Sequence, residues 1–315
     1  MTPRADHGLG IGIDVGGTST RLVVFDADEV ALISSVEATP RGPDALVGHL
    51  AAAIAAATVR LDRPVDTIGI GIPGGVRAGI VTNALNLDVV APLALAEILE
   101  QRFRVTVTLE NDVNAAALGA ASRLRMGAGT SMTYLSIGTG FAAGTITDGR
   151  IVRGGRGLAG EIGHIPFPHD ETRCGCGQRG CIETVVSGQA LVGRMAAVGL
   201  HGTAIDLWGA ADDGHHAAAA LRDDFVDALA WSSQLALMLL DVDRIVVGGG
   251  VGIALGDLLA DRVRARLAAR EADSPLLTAI RLSQRVTSAP ADVELGALGA
   301  HLAARADRSP THLIA

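Results

Sequence analysis

The feature that most constrains this fold is a pattern that occurs twice: an apolar strand, a glycine turn and a second strand. Residues 9 to 36 contain it as IGIDVGGTSTRLVVFDADEV, and SMTYLSIGTGFAAGTITDGRIV repeats it in the second half of the chain. Two hairpins that each present glycines at the tip imply a distant internal duplication. Around them, strand and helix signals alternate. Helices are expected over Asp44–Arg60, from Pro92 to Phe103, over Asp223–Leu240 and over Leu295–Ala304. Strands are expected over Thr67–Ile72, over Val105–Leu109 and in DRIVVGGGVG. Such alternation predicts an α/β fold with a largely parallel sheet. No Pro- or Ser-rich linker separates the halves, so the boundary between two lobes is expected inside a continuous element near residue 115.

At 315 residues and 49% hydrophobic content, the chain can fill two cores, which excludes a disordered class. A net charge of −8, with 26 scattered Lys and Arg residues, gives no basic stripe for nucleic acid. Neither an early apolar segment of signal-peptide type nor a run of about twenty apolar residues is present, so a cytoplasmic protein without a membrane partner is expected.

The first hairpin tip, DVGGTSTR, runs from Asp14 to Arg21. Gly16 and Gly17 allow a sharp turn that points N–H groups one way, and Thr18, Ser19 and Thr20 add hydroxyl donors, so the tip suits a phosphate. Asp14 would repel a polyphosphate unless Mg²⁺ or its water lay between them. It equally fits a polar hairpin turn. The second tip, with Gly138, Thr139 and Gly140, repeats this chemistry. A third turn, with Gly248, Gly249 and Gly250, stands between a strand and a helix, where amides and the helix dipole favour an anion or nucleotide. Three such turns behind buried strands point to a nucleotide. In LENDVNAAALG, Glu110, Asn111, Asp112 and Asn114 fall where a strand hands over to a helix, the usual address of ligand-facing groups in α/β sheets. Asp112 also fits a helix N-cap there.

The densest signal is GGRGLAGEIGHIPFPHDETRCGCGQRGCIE. Its C-x-C-x4-C cluster, Cys174, Cys176 and Cys181, holds all three cysteines of the chain, an odd and bunched set that suits a metal better than disulfides. With a histidine ahead of it, His164 or His169, it supplies a Cys₃His set for a structural Zn²⁺. Glu161, His164 and Glu183 are then polar groups on a metal-braced loop, suited to sugar hydroxyls.

Taken in order, these motifs resemble the ROK family of repressors and sugar kinases, from about Ile11 to Gly299. The resemblance implies two ribonuclease H-like lobes of the hexokinase, actin and Hsp70 superfamily. One lobe covers 1–115 and is joined by a C-terminal helix, 296–315; the other covers 116–295. It further implies ATP-dependent phosphorylation of a hexose 6-hydroxyl, glucose first and an N-acetylhexosamine second. ATP and Mg²⁺ would be held by Asp14, Gly16, Gly17, Thr18, Ser19 and Arg21, with Gly138–Gly140 and Gly248–Gly250. Asp112 would be the catalytic base. Gly74, Asn86, Asn111, Asp112, Glu161, His164 and Glu183 would contact the sugar, and Gly74 would be small so as not to obstruct it. His164, Cys174, Cys176 and Cys181 would bind zinc, and a homodimer or homotetramer is expected. The family's aromatic segment after Asn86 and Leu87 is missing from TNALNLDVVAPLALAEIL, which bears on sugar identity. A sugar-sensing DNA-binding regulator would need a helix-turn-helix module ahead of Asp14, where thirteen residues stand.

Overall fold

Strand β1 (Leu9–Val15) is buried at every position except Asp14, as an apolar run covered on both faces must be. The computed structural model, which describes residues 8–127, 129–168, 170–291 and 294–308, makes it the centre of a sheet. Contacts divide the chain into two units: unit 1 takes residues 1–128, 149–158 and 293–315, and unit 2 takes 129–148 and 159–292.

In unit 1, β1 pairs antiparallel with β2 (Ser19–Phe25), which pairs with β3 (Ala31–Ala38). On its other side β1 pairs parallel with β4 (Val65–Ile72). The crossover to β4 carries α1 (Pro43–Val59), whose Leu46, Leu50 and Ile54 bury against Ile11, Ile13, Ile68 and Ile70. After β4 come the small hairpin β5 (Gly75–Arg77) and β6 (Ile80–Thr82), then α2 (Leu95–Phe103) and β7 (Thr106–Asn111), giving the order β3-β2-β1-β4-β7. Helix α3 (Asp112–Arg123) follows β7 with no intervening loop. The last helix of the chain, named α10 below, lies on the opposite face from α1 and also packs on α3. Glycines permit this approach: a Cβ at Gly12 would stand 1.9 Å from the Ala297 carbonyl oxygen, one at Gly69 1.8 Å from that of Ala300, and one at Gly299 1.6 Å from that of Ala115. The boundary expected near residue 115 falls inside α3. That whole helix packs with α10, and the chain leaves unit 1 only at residue 128.

Unit 2 repeats the plan. β8 (Met132–Ile137) and β9 (Phe141–Thr147) form the hairpin, β11 (Arg244–Gly248) lies parallel to β8, and β12 (Val286–Ser288) lies parallel to β11. The two-residue β10 (Arg150–Ile151) belongs to the segment returned to unit 1. Between β9 and β11 lie a loop without long elements and then α4 (Gly188–Ala197), α5 (Ala204–Asp212) and α6 (His216–Leu240). After β11 come α7 (Gly249–Leu255), α8 (Asp257–Ala272) and α9 (Pro275–Ile280), and the final α10 (Leu295–Arg308) belongs to unit 1. Leu135, Ile137, Trp208, Phe225, Leu229 and Val247 anchor the core of unit 2. The duplicated hairpins foreseen in the sequence therefore supply the central strand and its antiparallel neighbour in two sheets of like order. Among the described residues, no helix is long and apolar enough to cross a membrane.

Candidate active site

The tip of the first hairpin closes through Gly16 N–H donating to the Ser19 carbonyl at 2.9 Å, and Thr18 and Ser19 stay exposed. Asp14 stands opposite Arg21 in the β1–β2 register. Burial pushes the Asp14 carboxyl up to about 7; the charge of Asp112 adds to the rise and the Arg21 guanidinium opposes it. The first turn of α10 presses on the same carboxylate, since a Cβ at Gly296 would lie 2.5 Å from it. Arg21, expected to face a nucleotide, donates to Glu294 at 2.6 Å, an oxygen that Ser34 also serves at 2.8 Å. Asn86 is exposed on a single 3-10 turn, Leu85–Leu87, with its Cβ 3.5 Å from where a Cβ on Gly17 would be.

The junction of β7 and α3 gathers the polar groups that the sequence marked. Asn111, not Asp112, is the N-cap: its Oδ1 accepts from Val113 N–H at 3.0 Å and Asn114 N–H at 3.2 Å, and its Nδ2 donates to the Gly74 carbonyl at 3.3 Å. Both lone-pair directions of that amide oxygen are thus engaged, and what Asn111 can still offer a ligand is an N–H. Asp112 opens the helix, its Oδ1 accepting from Val113 N–H at 3.0 Å. Asn114 donates to Glu110 at 3.0 Å. Gly74 has a reason of its own to be glycine: its φ is +95° and a Cβ would meet the Thr82 carbonyl at 2.7 Å.

In unit 2 the second tip is framed from behind by the loop. Gly138 N–H donates to the Gly140 carbonyl at 3.0 Å and Gly188 N–H donates to the Gly138 carbonyl at 2.8 Å. Glu183 accepts from Phe141 N–H at 2.9 Å, and a Cβ on Gly140 would sit 2.5 Å from the same carboxylate oxygen. One carboxylate oxygen of the expected sugar-binding residue therefore belongs to the phosphate-type tip. Glu161 is exposed, and His164 is half-buried at the end of a 3-10 turn, Ile162–His164. At the third turn, Gly249 has φ +74° and its N–H donates to the Tyr134 hydroxyl at 2.8 Å, while a Cβ on Gly248 would meet that hydroxyl at 2.2 Å.

The ligand atoms of His164, Cys174, Cys176 and Cys181 all lie within 4.8 Å of one another. Cys176 Sγ is 3.6 Å from Cys181 Sγ, and Cys174 Sγ is 3.8 Å from His164 Nδ1. A tetrahedral zinc with Zn–S of about 2.3 Å spaces its sulfurs by about 3.8 Å, so the set fits that ion. The Gln178 backbone N–H draws the Cys176 thiol down to about 7, whereas burial pushes Cys181 up to about 12. A bound cation would offset that second cost. His169, the other histidine considered, lies outside the described residues.

Two contributors escaped the sequence reading. Tyr134 braces the third turn, and Arg153 donates to Glu110; neither sits in a motif whose spacing would mark it.

Residues 10–306 match the ROK family. Over 282 residues the chain is 34% identical to the glucokinase of Streptomyces coelicolor, an alignment covering 82% of this chain and 86% of the relative. It is 31% identical over 254 residues to the N-acetylmannosamine kinase of Yersinia pestis, covering 80% and 86%. Its fold matches a ROK family glucokinase from Streptomyces griseus, solved in complex with glucose and AMPPNP, with a TM-score of 0.75, 30% identity and coverage of 95% and 99%. The match over residues 10–306 and the 34% identity over most of both chains show that the chain belongs to the ROK family.

Proposed function

We propose that this chain is an ATP-dependent sugar kinase that phosphorylates a hexose at its 6-hydroxyl, with glucose as the preferred substrate. The single observation that carries the kinase reading is the 34% identity to a glucokinase over most of both chains. The glycine tips and the Asp112 junction supply the chemistry such a transfer needs. In this reading Asp112 accepts the proton of the 6-hydroxyl as that oxygen bonds to the γ-phosphorus and the bond to the β-γ bridging oxygen breaks, releasing ADP. Gly16–Ser19, Gly138–Gly140 and Gly248–Gly250 bind the nucleotide. Gly74, Asn86, Asn111, Glu161, His164 and Glu183 contribute to holding the sugar. Asp14, whose carboxyl rises to about 7 beside Asp112, has the crowded negative charge that a Mg²⁺ ion would relieve, and that ion would screen the phosphates. Zinc at the Cys₃His set would shape the loop rather than act chemically.

The second reading is an N-acetylhexosamine kinase, which the 31% identity to an N-acetylmannosamine kinase favours. The same inference puts the protein in cytoplasmic carbohydrate metabolism, as a homodimer or homotetramer. A panel of hexoses and N-acetylhexosamines offered with ATP and Mg²⁺ tests it. Glucose should give the highest kcat/KM. A higher value for N-acetylmannosamine would replace the sugar and keep the kinase; binding of sugar without phosphorylation of any would leave a sensor.

A further inference from the structure

Glu110 is the most deeply buried carboxylate near the candidate base, its side chain only 4% exposed. Both of its oxygens are committed. Oε1 accepts from the Asn111 backbone N–H at 3.0 Å and from Asn114 Nδ2 at 3.0 Å. Oε2 accepts twice from Arg153, from Nε at 3.0 Å and from NH2 at 2.5 Å. The carboxylate thus grips the residue before Asp112 through its main chain and the residue two beyond it through its side chain. Since β7 passes into α3 with no loop, fixing these two points fixes the direction from which Asp112 leaves the backbone. Burying a carboxylate is costly unless it is paired and hydrogen-bonded, and Arg153, 43 residues further along the chain, supplies the cation.

We propose that Arg153, through Glu110, is a positioning residue for phosphoryl transfer: it holds the β7–α3 junction so that Asp112 presents its carboxylate to the sugar hydroxyl. This rests on the reading of Asp112 as the base. Arg153 does not touch substrate in this account. It comes from the segment 149–158, which belongs to unit 1 although the chain on either side of it belongs to unit 2. Methionine in its place would leave the buried Glu110 without its cation, with only the Asn111 and Asn114 donors, and the strain of that loss would fall on the junction.

The test is a set of variants measured for kcat, KM for glucose and for ATP, and thermal midpoint. Arg153→Met should lower kcat about 10- to 100-fold, the scale of a small displacement of a reacting group, with both KM values within about twofold. Glu110→Gln alone should also lower kcat, because Arg153 then faces an amide N–H. Combining the two removes the stranded charge while the glutamine oxygen still accepts from Asn111 and Asn114, so Arg153→Met/Glu110→Gln should regain at least about fivefold in kcat over Arg153→Met. Arg153→Lys, which keeps the charge but not the paired donors, should fall between wild type and Arg153→Met and guards against loss of folding in the methionine variant. Wild-type kcat in Arg153→Met, a loss confined to KM, or a double variant whose defects simply multiply would overturn the proposal. Asp112→Asn, run in parallel, separates the two readings. If it stays active, the base assignment fails. If it is inactive while Arg153→Met is fully active, only the positioning role fails. In an Asp112→Asn background, Arg153→Met should have little further effect on the residual rate.

Discussion

The β7–α3 junction and the loop from Gly160 to Thr184 each carry several candidate site groups, yet they are held in opposite ways. At the junction, β7 pairs with β4 from Thr106 to Asn111 and the helix begins on a capped first turn, so Asn111 and Asp112 inherit their places from sheet and helix. Among its described residues the loop has two 3-10 turns, Ile162–His164 and Ile182–Thr184, and isolated bridges at Pro166–Cys181 and Arg173–Arg179. There, Glu161, His164 and Glu183 depend on the knot of four ligand-type side chains. The first region draws its rigidity from regular backbone hydrogen bonds; in the proposed reading the second would draw it from an ion held by those four side chains. A chemical change should therefore leave the first region folded but inactive, and loss of metal should unfold the second while sparing the first.

The largest expected effect lies at the junction. Asp112→Asn keeps the acceptor for Val113 N–H but cannot take a proton, so kcat should fall by roughly 10²–10⁴-fold. Because the cap is Asn111, the thermal midpoint should barely move. A variant retaining more than about a tenth of the wild-type kcat would move the base elsewhere.

Next in size is removal of the metal, by chelation or by Cys176→Ser. The protein as purified should hold one zinc per chain by elemental analysis, and its loss should lower kcat/KM by about 10–100-fold. Hydrogen exchange is the sharper measurement. Amides of the 161–183 segment should lose protection and those of 106–123 should keep it. Equal loss in both regions would erase the contrast, and full activity without metal would make the cluster ornamental.

The smallest effect concerns pH, and it exposes a weakness of the regular region. His301 in α10 is buried against Phe25, ring centroids 5.1 Å apart, and among the described residues neither ring nitrogen has a hydrogen-bond partner. Burial lowers its pKa from 6.5 to about 4, assisted by the charge of Arg305 and opposed by Asp26. The unfolded chain therefore binds the proton that the folded one refuses, and stability is lost as pH falls from about 6.5 towards 4, by roughly 2 kcal/mol at pH 5. Asp14 has the opposite sign: its raised pKa favours the protonated folded form, so stability falls as pH rises from about 4 to 7. The wild-type curve sums the two. The histidine contribution is read from urea unfolding of wild type against His301→Phe, which should lose less stability between pH 7.5 and 5. Parallel curves would mean that the ring is already protonated or hydrated in the folded state.

The same contrast explains what was legible in the sequence. Elements with continuous apolar or alanine-rich runs, such as β1, α1, β4, α6 and β11, stand within a few residues of where the sequence put them, except that α6 begins at His216 rather than Asp223. β3 was missed, because ALISSVEA is largely exposed and carries no apolar run. The Cys₃His cluster could be read because ligand spacing is local. The support of Asp112 could not, because the choice between Asn111 and Asp112 as cap turns on one residue of register, and Arg153 meets Glu110 only through the fold. Gly74 has a backbone reason that the sequence alone did not show, its left-handed φ and the nearby Thr82 carbonyl.

The glycines that let α10 lie directly on β1 and β4 also set a schedule. During synthesis the sheet of unit 1 is complete once β7 has emerged, but the helix that covers one of its faces comes only after unit 2 has been made, since the last segment of unit 1 begins at residue 293. At 5–20 residues per second that wait is about ten to forty seconds. Throughout it, a smooth glycine-lined face made to accept a backbone is open to any other chain that passes, so the nascent protein meets its greatest hazard of mispairing before its last helix exists.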